Sequence, residues 1–160
     1  MIGEVFKKNL TLRSGAKPGD IILVSGPLGG SLYGRHLKFT PRVQEANYLV
    51  NNYPITAMLD ISDGLSLDLR RLTLASSVGA IIYAELIPVS DEAKSLAEAL
   101  NMGEDYELLF TLRPKEATKL MKKKPHFKPI GEIREEKYGL KIINKDYREK
   151  ILEPKGYQHF

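Results

Sequence analysis

The chain has no cysteine and no tryptophan, and only three histidines in 160 residues. Without thiols, disulfides, thiolate metal ligands and cysteine nucleophiles are excluded, and redox chemistry would need an outside cofactor. Three scattered histidines give no zinc-ligand spacing. No run approaches the ~18 apolar residues of a membrane span, and the opening MIGEVFKKNL lacks the apolar core of a secretory signal. A soluble, cytoplasmic protein with no membrane partner is the expectation. No low-complexity tract interrupts the sequence, and with 42% hydrophobic residues the length suits one core, so residues 1–160 read as a single domain. Excess charge is also scarce, at net +4, and the one basic cluster, Arg113 to Lys128, sets seven basic residues against one acidic. A solvated helix face and its following loop account for that cluster. An RNA-binding patch is the alternative, without the interleaved aromatics that stacking on bases needs.

What the chain does have is a short apolar run that stops at two aspartates and a serine, ITAMLDISDGL, Ile55 to Leu65. Ile55 to Leu59 reads as a buried strand ended by Asp60, and leucines 65, 69 and 72 then recur at helical spacing. Asp60, Ser62 and Asp63 therefore fall where a strand hands over to a helix, the usual ligand crevice of an open α/β sheet. Ser62 or Asp63 as a helix cap explains one acidic residue at most. A carboxylate directly after a buried strand costs free energy unless it is paired or binds a cation, so a hard-cation site is the functional reading.

Elsewhere, Ile21 to Pro27 reads as a strand running into the glycine-rich GPLGGSLYGRHL, with an apolar helix expected to follow. Its spacing matches neither the P-loop nor the dinucleotide fingerprint, and close packing competes with phosphate contact as the reason for the glycines. Thr40 and Pro41 are expected to cap a helix over RVQEANYLVNN, with Gly79 a stop before the strand AIIYAEL and Ser90 a cap for DEAKSLAEAL. In MGEDYELLFTL a glycine and two acids precede an alternating strand, so Glu104 and Asp105 stand at a loop edge. A helix over PKEATKLMKKK and strands in HFKPIGEI and YGLKIIN follow.

Taken together, LTLRSGAKPGDIILVSGPLGGS, MLDISDGLSLDLRRL, GEDYELLFTL and the terminal GYQHF resemble, in order, the carboxyl-terminal domain of the thiamine-monophosphate kinases, in the aminoimidazole-ribonucleotide synthetase superfamily. The resemblance runs almost end to end, and its second and third parts are specific together. It implies an α+β fold, a mixed and largely antiparallel sheet with flanking helices. It also implies that this is the carboxyl-terminal half of a longer protein, with an absent amino-terminal ATP- and magnesium-binding domain and residues 1–12 the remnant of a linker. The segment between the glycine loop and ITAMLDIS is shorter than the family pattern.

The implied activity is transfer of the γ-phosphoryl of ATP to thiamine monophosphate, giving thiamine diphosphate, with Mg2+ as cofactor. By the same resemblance Asp60 and Asp63 are magnesium ligands and Ser62 is an ATP contact. Arg13 is a cation for ATP phosphate, Glu104 and its neighbour Asp105 are substrate contacts, and Tyr157 is an aromatic that stacks on the thiamine ring system. No general base is expected, because an acceptor phosphate with a second pKa of about 6 is already an anion at neutral pH. This half would be inactive alone, and a homodimer is expected of the full-length protein. Other ATP-dependent members of the superfamily, of purine synthesis, selenophosphate synthesis or hydrogenase maturation, are the enzyme alternatives, and GEDYELLF and GYQHF point away from them.

Overall fold

In a computed structural model, residue 4 and residues 6–156 are described. Seven strands form one sheet: β1 (Ile21–Val24), β2 (Ala57–Ile61), β3 (Val78–Tyr83), β4 (Glu107–Leu112), β5 (Lys128–Glu135), β6 (Leu140–Ile143) and β7 (Glu149–Ile151). Their spatial order is β2-β4-β1-β5-β3-β6-β7. Every neighbouring pair is antiparallel except β3 with β6, so the expected mixed, largely antiparallel sheet with helices is the observed one.

Strand alternation sorts the apolar residues onto two faces. On one, Ile22, Val24, Leu59 and Leu109 meet Leu65, Leu69 and Leu72 of α2 (Leu65–Ser76) and Ala99 and Leu100 of α3 (Leu96–Asn101). On the other, Leu23, Leu108 and Phe110 meet Leu49 of α1 (Val43–Asn52) and Ala117 and Leu120 of α4 (Pro114–Lys123). Phe110 and Phe127 pack edge to face there at 5.5 Å. The sheet thus lies between two helical layers, and burying each leucine side chain contributes roughly 2 kcal/mol. The basic cluster falls on α4, which buries Ala117 and Leu120 and turns Lys115, Lys119, Lys122 and Lys123 outward. None of the helices among the described residues is long and apolar enough to cross a membrane.

Several local expectations shift. The strand expected over residues 55–59 runs over Ala57–Ile61 instead, so Asp60 lies within it, exposed on the Met58 side while Leu59 and Ile61 are buried. Among the described residues its carboxylate has no ion-pair partner. The glycine loop leads to two 3₁₀ turns, Ser31–Tyr33 and Arg35–Leu37, broken by Gly34 at φ 101°. Thr40 caps nothing: α1 begins at Val43, after Arg42. Gly79 lies inside β3, and α2 closes on Ser77 at φ 53°. Ser95, not Ser90, caps α3 by accepting the Glu98 N–H, because Ser90 is buried and donates to the Gly29 carbonyl at 2.6 Å.

Candidate active site

Four segments converge where β2 gives way to α2. Gly64, at φ 113°, precedes the helix. The preceding backbone is held from inside α2, because one Asp68 oxygen accepts the N–H groups of Ser62 and Asp63 at 3.1 and 3.0 Å. Asp68 is fully buried, and burial pushes its carboxyl up from the ordinary aspartate value against the opposing pull of those hydrogen bonds and of Arg71. Arg71 bonds the other Asp68 oxygen at 2.7 Å and also pairs with Asp63. Its guanidinium is raised mainly by the Asp63 hydrogen bond. Asp63 therefore has an internal counter-ion, whereas Asp60 has no ion pair among the described residues.

The second segment is the turn into β4. Gly103, Glu104 and Tyr106 have φ of 74°, 54° and 52°. A Cβ on Gly103 would lie 2.7 Å from the Ser62 carbonyl oxygen, so only glycine fits against the aspartate loop. The Glu104 N–H donates to the Ser62 carbonyl at 2.8 Å and the Tyr106 N–H to the Ile61 carbonyl at 2.9 Å. Glu104 is exposed, while Asp105 is 4% exposed and Glu107 2%.

Those two buried carboxylates meet the glycine loop, the third segment. Asp105 Oδ1 accepts from the Gly29 N–H at 2.8 Å, the Ser31 hydroxyl at 3.0 Å and Arg35 at 3.0 Å; Oδ2 has no partner among the described residues. Burial pushes the Asp105 carboxyl up to about 6, despite those three donors. Glu107 is held by Arg42 at 2.7 and 2.9 Å, by Arg35 at 3.2 Å and by Ser25 at 2.5 Å. The Glu107 hydrogen bond raises Arg42 in turn. A Cβ on Gly26 would strike the Glu107 carboxylate at 2.8 Å, so that glycine leaves room for a buried acid. Ser25, Gly26, Pro27 and Arg42 also line an open cavity of about 650 Å³ with His126 and Lys128.

The fourth segment is the tail. The Ser66 hydroxyl, fully buried, bonds the Lys155 carbonyl at 2.6 Å and Asn101 at 2.7 Å, and accepts the Lys155 N–H at 3.0 Å. A Cβ on Gly156 would fall 2.2 Å from the Asp63 carbonyl oxygen, so the tail runs directly over the aspartate loop.

Ser62 and Asp63 are thus brought against the backbone of Glu104, while Asp60 precedes them in β2 with its side chain on the opposite face from Leu59 and Ile61; Asp105 adjoins the loop with its side chain turned inward to the glycine loop. Tyr157 lies outside the described residues, one position beyond the pinned Gly156. Arg13 stands apart. Its carbonyl accepts from Ser76 at the C-terminal end of α2, and Gly15 and Ala16 donate to the same hydroxyl, some 18 Å of helix from Ser62 for twelve residues. Among the described residues no three His, Cys, Asp or Glu side chains cluster as a metal cage. Sequence reading missed Asp68, Arg71, Arg35, Arg42, Glu107 and Ser66. Only Asp68 and Arg71, three apart on one helix face, left a local signal.

The domain that carries these segments has a family counterpart. Residues 31–143 match the AIR synthase related protein, C-terminal domain, and the chain belongs to that family. Within it the chain is similar to thiamine-monophosphate kinases. It is 45% identical to the one from Rhodopirellula baltica over 115 residues, covering 66% of this chain and 36% of that protein. The solved structure of AaThiL complexed with AMPPCP and TMP superposes with a TM-score of 0.75 at 30% identity, over 94% of this chain and 54% of that one. Hydrogenase maturation protein HypE in complex with ATP shares the fold alone, with a TM-score of 0.78 at 16% identity over 98% of this chain and 56% of that one. The chain spans between a third and just over half the length of the relatives it matches.

Proposed function

We propose that this domain is the thiamine-monophosphate-binding side of a thiamine-monophosphate kinase, which transfers the γ-phosphoryl of ATP to thiamine monophosphate. The observation that carries this is the hydrogen bond from the N–H of exposed Glu104 to Ser62, in the loop that directly follows exposed Asp60, with similarity along the chain to relatives named thiamine-monophosphate kinase. In this reading Glu104 binds the substrate and Ser62 contacts ATP. Tyr157 stacks on the thiamine rings from the tail that Ser66 pins, and Arg13 meets ATP phosphate through the domain supplied from elsewhere in the protein. A homodimer belongs to that full-length protein.

Asp60 and Asp63 fit magnesium, since the donor set is all oxygen and this cation is commonly held by one or two carboxylates with water and phosphate completing its shell. Bound there, magnesium would screen the repulsion between two polyanions. Asp60 offers its carboxylate freely, while Asp63 would exchange Arg71 for the ion. The acceptor phosphate is itself the nucleophile, so no side chain has to remove a proton.

The test is reconstitution. The chain combined with a separately made amino-terminal domain of a related kinase should form thiamine diphosphate from ATP and thiamine monophosphate only with magnesium present. Phosphorylation of a purine or selenium substrate instead would overturn the assignment.

A further inference from the structure

We infer that Asp105 is a positioning residue, whose side chain locks the Gly103–Tyr106 turn to the glycine loop and thereby sets the direction in which Glu104 is presented. For Glu104's ligand this rests on the proposed kinase reading; for the lock it rests on geometry alone. Left-handed backbone at a non-glycine residue is uncommon and costs of the order of 1 kcal/mol or more. Here Glu104 and Tyr106 both adopt it, one residue apart and directly after Gly103. Such a turn persists only where its surroundings over-determine it.

The backbone supplies half of that restraint, through the Glu104 and Tyr106 N–H bonds to the Ser62 and Ile61 carbonyls. Asp105 supplies the other half. Between those two left-handed residues its side chain points inward, and one oxygen collects the Gly29 N–H, the Ser31 hydroxyl and Arg35. Arg35 also bonds the Pro27 carbonyl at 2.6 Å and the Gly29 carbonyl at 3.2 Å, so the glycine loop is gripped from both sides. The turn is therefore bonded by main chain to the aspartate loop and by one carboxylate to the glycine loop.

Stability alone does not account for this carboxylate. Its second oxygen is buried without a partner among the described residues, and a well-packed apolar residue commonly serves a core as well as a buried ion pair does. Nor is Asp105 free to touch a ligand itself, because its side chain has no exposed surface. Its effect on chemistry has to pass through the neighbour it holds. Asp105→Ala removes the acceptor from three donors and frees the turn, whereas Asp105→Asn keeps a carbonyl oxygen for the Gly29 N–H and the Ser31 hydroxyl.

Amide hydrogen exchange on this chain reads the lock directly. In Asp105→Ala, exchange at Gly29, Glu104 and Tyr106 should rise about tenfold, the loss of roughly one net hydrogen bond, while Leu109 and Phe110 in β4 keep their protection. Asp105→Asn should stay close to wild type. If Asp105→Ala does not fold, Ser31→Ala removes one bond from the same oxygen and should raise exchange at Glu104 and Tyr106 by a few fold. Unchanged exchange at those two amides would overturn the lock, as would a loss of protection spread evenly over β4. Calorimetric titration with thiamine monophosphate reads the consequence: Glu104→Gln and Asp105→Ala should each weaken binding, and the double variant should bind no worse than Glu104→Gln. Full additivity would overturn action through Glu104. Wild type that binds no thiamine monophosphate would count against the kinase reading, and the exchange pattern would then decide the lock by itself.

Discussion

Ser66 and Lys155, 89 residues apart in the chain, exchange hydrogen bonds in both directions: the buried hydroxyl reaches the Lys155 carbonyl at 2.6 Å and accepts the Lys155 N–H at 3.0 Å. The carboxyl-terminal tail is thereby fastened to the first turn of α2, beside the aspartate loop. Ser66→Ala leaves the Lys155 backbone groups without that partner and should cost about 1 kcal/mol. The clearer effect is local. Trypsin should cleave after Lys155 faster in the variant than in wild type, with the core strands still resistant, and equal cleavage would show that the tail is held by something else.

Asp68 satisfies two backbone N–H groups of the aspartate loop and anchors Arg71, although nothing in it touches solvent. Asp68→Ala leaves those half-buried donors unpaired and Arg71 with Asp63 alone. Because Arg71 is partly solvated, the expected loss is about 2 kcal/mol rather than that of a fully buried pair. Thermal unfolding should show it as a midpoint lower by about 4–8 °C.

Asp105 makes stability depend on pH in a stated direction. Its carboxyl is pushed up by burial to about 6 from an ordinary 3.8, with the Arg35 charge opposing and the Glu107 charge adding to the rise. A raised acid is favoured in its protonated form by folding, so its contribution is complete below pH 3.8 and is lost as pH climbs through 6. Wild type should therefore lose about 2 kcal/mol relative to Asp105→Asn between pH 4 and 7, read from urea midpoints. A difference that stays constant across that range would refute the assignment to Asp105.

Gly103 combines a left-handed backbone with contact against the Ser62 carbonyl. Gly103→Ala is strained on both counts and should cost of the order of 2 kcal/mol. Its diagnostic sign is a shift in the Ser62, Asp63 and Glu104 amide resonances, with those of α4 unmoved.

The parts of this site that sequence reading reached are those written into local pattern. The change from a strand run to helical leucine spacing located Asp60, Ser62 and Asp63, although Asp60 proved to be inside β2, because Ile61 continues the alternation beyond it. The acids before β4 were visible for the same reason. What stayed hidden is non-local: Arg35 and Arg42 reach Glu107 across 72 and 65 residues, and no spacing rule announces such a pair. Thr40–Pro41 carried a cap signature, but Arg42 is held by Glu107 and its carbonyl accepts the first helical N–H, from Ala46. Ser90 likewise looked like a cap, and the tertiary bond to the Gly29 carbonyl took its hydroxyl elsewhere.

We propose that Asp60, which has no ion pair among the described residues, serves a magnesium ion in phosphoryl transfer. The most direct measurement is thiamine diphosphate formation by Asp60→Asn, with the amino-terminal domain of a related kinase supplied and magnesium varied. Turnover should fall by about a hundredfold or more, and added magnesium should recover only part of it, as expected when a charged ligand to an essential ion becomes neutral. Turnover equal to wild type at limiting magnesium would contradict the claim.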